Sequence, residues 1–354
     1  MYRDPRIDIF RGFLIILVVL GHVKNIPIDL HHAIYSFHMP AFFILAGYLF
    51  NFHKNGNAYE FIGKKFNRLI IPAWVFGLIC GLPFVAITLL RFSSDAVSNF
   101  LTRLYGTLTG YPAWDTTFNC TPLWFLYALF VIEAIAILCK KFSENAFIIT
   151  LMGLGIVGVV ISYQTDVITP FNVLIGLSCL IYFVLGFCIK KISCIKKISG
   201  LIPRTLLFIT PVVYCVTYYL FVIQAQGNVI SLAENSFGPA RDFAWNMVLS
   251  LSGTGVALVI SSLLSNNEML SKGFSWLGVN TIPIIAFDYY VNDFFVKTFA
   301  ITGMKLPNAW LFVFPIKLTI LVFIAWGVTR ISWLNNIKDG NIQFFNRKIT
   351  SEHI

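Results

Sequence analysis

Long apolar stretches alternate with short, basic connectors along the whole chain. Ten such stretches run approximately 8–25, 33–52, 69–90, 122–139, 146–163, 167–189, 205–223, 245–264, 274–296 and 309–329. Each is near the ~20 residues that a helix needs to cross the hydrocarbon core of a bilayer. The pattern predicts an all-α, polytopic membrane helix bundle with about ten transmembrane helices. The first stretch resembles a secretory signal in its apolar run. It carries Arg11 within that run, no small-residue cleavage site follows, and a second stretch begins at once, so a retained helix is expected.

Composition strengthens that picture. Of 354 residues, 57% are hydrophobic and 12% charged, and the mean hydropathy is +0.78. An ordinary soluble protein has roughly a quarter of its residues charged. A soluble enzyme, a disordered chain and a secreted disulfide scaffold are excluded. The seven Cys show no CxxC spacing and suggest neither a disulfide framework nor a zinc site, and no other metal-ligand spacing occurs.

The net charge of +10 concerns orientation rather than nucleic acid, because the Lys and Arg residues sit mainly in the short connectors. With the N-terminus in the cytoplasm, 19 of them fall on the inside and 6 on the outside, and Lys317 lies inside the last stretch. The loops near 53–68 and 190–204 carry four and five. Both termini are therefore expected to be cytoplasmic. The protein is read as one integral membrane domain, 1–354, in the inner (cytoplasmic) membrane, with lipid around it. The longest loops, 91–121 and 224–244, fall outside, and Cys120 in the first is expected to be open to reagents there. Cys194 is expected inside.

Polar residues inside the stretches carry the chemistry. Asp8, Arg11 and His22 lie in RIDIFRGFLIILVVLGH. At 100° per residue, eleven steps bring His22 to within about 20° of Arg11, and Asp8 lies within about 40° of His22. All three share one helix face, with Arg11 and His22 about 16 Å apart along the axis. Ionisable groups at membrane depth face the protein interior or a wet cavity, so the stripe suggests a polar channel. The plainer alternative is an interfacial Asp8–Arg11 pair, with His22 merely at the helix end. His38 lies at the level of His22 in the second stretch, where two imidazoles suit proton transfer near neutral pH.

Five blocks together resemble the acyltransferase-3 family of integral membrane acyltransferases. They are Arg11-x10-His22 in RIDIFRG…LGH, FHMPAFFILAGYL (Phe37–Leu49), KKFNRLIIP (Lys64–Pro72), PLWFLYALF (Pro122–Phe130) and LGVNTIPIIAFDYYV (Leu277–Val291). The resemblance covers nearly the whole chain in the same order. It implies an acyl-CoA donor, usually acetyl-CoA, and as acceptor a hydroxyl of a cell-surface or lipid-linked sugar or polysaccharide. It implies Arg11 and His22 as the essential pair, with His22 catalytic, and His38 and Arg68 as further characteristic positions. The last block departs from many relatives, which carry a His where Asp288 stands here.

Acyl transfer from a thioester needs a base for the hydroxyl, oxyanion stabilisation and positioning. His22 suits the base. Arg11 is too far along the helix to share that atom and suits the anionic part of CoA, with Asp8 beside it. Glu133 is expected to pair with Arg68 or to line the cavity. Asp288, an acid in its own right or a substrate contact, is expected to pair with Lys317 in the next stretch. A rival function keeps the stripe but not the chemistry: a polysaccharide exporter or flippase in which His22 only binds sugar.

Overall fold

The computed structural model describes residues 4–53, 56–91, 93–165, 167–195, 204–233, 240–302 and 309–341. The helices are α1 (Pro5–Gly21), α2 (Ile28–Tyr35), α3 (His38–Leu49), α4 (Ala58–Arg91), α5 (Ser94–Thr109), α6 (Trp124–Cys139) and α7 (Glu144–Gln164). They continue with α8 (Val173–Ile195), α9 (Arg204–Tyr218), α10 (Ala240–Leu264), α11 (Glu268–Val279), α12 (Thr281–Thr302), α13 (Trp310–Arg330) and α14 (Ser332–Lys338). No strand occurs among the described residues.

Every apolar stretch falls on helix. Among the described residues, six helices are long and apolar enough to cross a membrane: α4, α6, α7, α8, α10 and α13. Helices α6 and α8 are mostly buried inside the bundle, whereas less than a third of α7 and of α13 is buried. The exposed side chains are themselves apolar, including Ile149, Ile156, Phe312 and Phe323. A water-facing surface does not carry such residues in bulk, so these helices face lipid. The protein is a multi-pass helical membrane bundle.

Two of the stretches are divided, each for a local reason. In the second, the chain breaks between α2 and α3. Pro40 has no N–H for the Ser36 carbonyl, which instead accepts from Ser250 Oγ of α10 at 2.9 Å. In the ninth, α11 ends at Asn280, whose side-chain amide turns back to the Trp276 carbonyl at 2.8 Å before α12 begins. Irregular backbone at membrane depth is tolerated where the protein itself satisfies the freed groups.

Two close crossings fix the helices around the polar stripe. At α1–α11, a Cβ on Gly12 would lie 1.9 Å from the Phe274 carbonyl oxygen, and one on Gly278 would lie 1.9 Å from that of Asp8. At α3–α8, Gly47 and Gly186 stand in the same relation to Phe183 and Ile44, each at 1.8 Å. Glycine is required at all four places because the backbones touch, the usual device where lipid offers no hydrophobic drive for helix association.

The loop after α4 is not an open connector. Helix α5 folds back over it, and Cys120 beneath is 2% exposed, with Thr107 Oγ1 3.8 Å from its sulfur. Its expected reactivity from outside is corrected accordingly. The side chain of Cys194 lies outside the described residues.

Candidate functional site

Helix α1 carries the site at its two ends. It starts on Pro5, with the Asp4 carboxylate accepting from the Arg6 backbone N–H at 3.0 Å. It ends at His22, the residue that caps its C-terminus. His22 therefore leaves the helix wall and reaches across to α12. Its Nδ1 lies 2.6 Å from Asp288 Oδ2. A carboxylate accepts, so Nδ1 carries the proton, and in the neutral imidazole Nε2 holds the lone pair.

Asp288 is fully buried, and its other oxygen, Oδ1, lies 2.9 Å from Lys317 Nζ, which is also fully buried. The expected Asp288–Lys317 pair is present. The Lys317 ammonium also reaches the Val19 carbonyl at 3.4 Å. That carbonyl belongs to the last turn of α1, where the Val23 N–H bonds to Leu20 instead. Lys317 thus ties together the carboxylate and the helix end that bears His22. A buried charge without a partner is costly, so this α1–α12–α13 junction is held as a unit.

Aromatic rings wall the imidazole. The Tyr289 ring packs edge-on to His22 at 4.8 Å, and Tyr35 lies 6.4 Å away. Tyr35 also meets the edge of His38 at 4.9 Å and stacks on His31 at 3.9 Å. His38 is buried and donates from Nδ1 to the Ile34 carbonyl at 2.8 Å. Its Nε2 is the lone-pair nitrogen, as in His22. Helix α2, which carries Tyr35 and His31, is fastened from α9: Tyr214 donates to the Ala33 carbonyl at 2.9 Å and Tyr218 to that of Asp29 at 2.7 Å. The Nδ1 of His31 is shut off from solvent and has no hydrogen-bond partner among the described residues. Burial, with the neighbouring His32 and His22, holds the His31 imidazole below the usual histidine range.

The other end of α1 is more open. Arg11 is a quarter exposed and lies 3.7 Å from the buried Asp8 carboxylate. Arg68 of α4 is exposed, and its backbone packs against Gly340, which follows α14 with a φ of +71°. Lys338 of α14 is buried and donates to Asn280 Oδ1 at 3.0 Å. Glu133 of α6 pairs with Lys65 at 2.6 Å rather than with Arg68, and its Oε2 is buried without a hydrogen-bond partner. That correction follows from helix rotation: Lys65 and Arg68 are three steps apart on α4, and Lys65 is the one turned toward α6.

The acyltransferase-3 family, described as an acyltransferase domain, matches residues 4–330. The chain belongs to this family. No curated protein and no solved structure matches it. The family supports a membrane acyltransferase. Its match spans every helix from α1 to α13, so both ends of the stripe and the Asp288–Lys317 junction lie within it.

The structure joins His22 to Asp288, and Asp8 to Arg11, while it sets Glu133 apart with Lys65. His38 meets His22 through Tyr35. The ring contacts of Tyr35 and Tyr289 and the buried Lys338 escape a sequence reading. Tyr289 is next to Asp288, and Tyr35 lies two residues before the FHMP block, yet neither carries a charge to betray it.

Proposed function

We propose that this membrane acyltransferase moves an acyl group, acetyl in the first instance, from acyl-CoA to a hydroxyl of a cell-surface or lipid-linked sugar or polysaccharide. One observation carries the reading: the His22 Nδ1–Asp288 contact at 2.6 Å, backed by Lys317. A carboxylate on Nδ1 fixes the tautomer, aims Nε2 and stabilises the imidazolium that forms when the base takes a proton. An exporter that only binds sugar has no need of that arrangement.

In this reading Nε2 of His22 takes the proton of the acceptor hydroxyl as its oxygen attacks the thioester carbonyl carbon. The tetrahedral intermediate collapses with cleavage of the carbon–sulfur bond. The imidazolium then returns its proton to the departing sulfur, leaving an ester and free CoA thiol. Asp288 is a positioning residue, since one oxygen meets His22 Nδ1 and the other is ion-paired with Lys317. His38 supports the Tyr35 wall. Arg11, with Asp8 beside it, and Arg68 of α4 receive the anionic portion of CoA. The acyl arm runs along α1 from Arg11 to His22.

The reading includes ten spans in the inner membrane, with both termini and the Arg11 end cytoplasmic, where acyl-CoA is made. The 19 to 6 split of basic residues supports it. The test is transfer of labelled acetyl from acetyl-CoA to glycosides by the purified protein. Ester formation that depends on His22 supports the reading. Sugar movement across vesicles without any consumption of acetyl-CoA overturns it in favour of export.

A further inference from the structure

The His22 end holds a further histidine that the proton transfer does not use. His31 sits on α2, one ring away from His22, with Tyr35 between them. Its place is fixed twice over. The ring stacks on Tyr35 at 3.9 Å with 22° between the planes, and α2 itself is fastened by the hydroxyls of Tyr214 and Tyr218. Yet its Nδ1 is enclosed and has no hydrogen-bond partner among the described residues. A buried polar atom left without a partner is destabilising. Here it survives beside a reaction centre, in a ring whose orientation is already determined by packing. Such a group is prepared for a partner that arrives with the ligand.

The chemistry of that partner follows from the surroundings. A neutral imidazole both donates and accepts one hydrogen bond, so it suits a hydroxyl, which does the same. An anion is a poor match, because Asp29 is on the same helix and no cation is among the ring contacts of this cluster. Flat aromatic walls at Tyr35 and Tyr289 suit the apolar faces of a sugar ring. The span of one aromatic ring between His31 and His22 is comparable to the width of a pyranose.

We propose that His31 binds a second hydroxyl of the acceptor while His22 takes the proton of the reacting one, so that His31 selects the sugar. This rests on the transferase reading above. The acceptor then enters from the α2 side and slides along Tyr35 to the partly exposed His31 ring. His31 is a specificity-determining residue and takes no part in the bond changes.

The test is a cycle that removes either partner. Wild type, His31→Phe and His31→Asn are compared with a panel of methyl hexosides and their monodeoxy derivatives. Phe keeps a flat ring for Tyr35 and deletes the nitrogens, while Asn keeps a hydrogen-bonding group. Calorimetric binding of CoA, at the far end of α1, reports that each variant is folded. Loss of one hydrogen bond to a neutral group changes affinity by about tenfold. The glycoside KM is therefore expected to rise by that factor in His31→Phe with little change in kcat, and to recover in part in His31→Asn. The wild type should lose the same factor when one particular hydroxyl is removed, and His31→Phe should be indifferent to that removal. An unchanged glycoside KM in His31→Phe, or an undiminished deoxy penalty, overturns the inference. If the wild type consumes no acetyl-CoA, the transferase reading fails separately, and glycoside binding by calorimetry decides on His31. Binding lost in His31→Phe supports the contact, and equal binding, or no binding to the wild type, overturns it.

Discussion

The two ends of α1 house their charges in different ways. At the His22 end the charged groups are buried and committed: imidazole to carboxylate, carboxylate to ammonium, ammonium to a backbone carbonyl. At the Arg11 end the cations are closer to solvent, Arg11 a quarter exposed and Arg68 exposed. The difference fits the two jobs proposed for these ends. A base that must take a proton in a particular direction gains from fixed partners and excluded water. A site that must catch and release a polyanionic carrier gains from accessible charge, since an exposed pair is weak and exchanges readily.

Removing His22 is the strongest way to break this contrast. Loss of a general base typically lowers the rate by about 10²–10⁴-fold. His22→Ala and His22→Gln are both expected to lose most acetyl transfer while the protein remains inserted and binds acyl-CoA. Near-normal transfer by His22→Gln would falsify the assignment and move the search for the base to His38.

The Asp288–Lys317 junction comes next. Removing one member of a buried pair typically destabilises by about 3–5 kcal/mol, because the survivor is left charged and alone. Asp288→Asn and Lys317→Met are each expected to lower the unfolding temperature in detergent. The double substitution Asp288→Leu with Lys317→Met is expected to recover part of the stability without recovering activity, since His22 stays unoriented. A double mutant no more stable than the worse single one contradicts the junction.

At the open end the effects are smaller and concern binding. Arg11→Ala is expected to weaken acyl-CoA affinity by about tenfold, and Arg11→Lys to restore only part, because a point charge does not reproduce the planar fork. Unchanged donor affinity in Arg11→Ala would mean that the two ends do not divide the work in this way.

The last test perturbs least. Asp95 of α5 and Gly56 before α4 are both exposed, and a cysteine at either is expected to be silent in activity. In intact cells a membrane-impermeant thiol reagent should reach Asp95→Cys and not Gly56→Cys. The reverse pattern turns the bundle over and places the Arg11 end outside.

What the sequence alone determined is local or summed over long segments. Ten apolar stretches and the distribution of basic residues follow from composition along the chain. The shared face expected of Asp8, Arg11 and His22 rests on the helical repeat, since Asp8 and Arg11 lie on α1 and His22 caps its C-terminus. The Asp288–Lys317 pair was also legible, since two lone charges at equal depth in neighbouring spans have few other partners. Tertiary structure decided the rest. His22 and Asp288 are 266 residues apart, and their contact depends on how α12 is rotated and how deeply it sits. Periodicity says nothing about either. The same limit hid Lys65 as the partner of Glu133, the breaks at Ser36 and Asn280, and the burial of Cys120 under α5. Those outcomes depend on glycine crossings that bring backbones into contact and on which side of each helix then faces its neighbour.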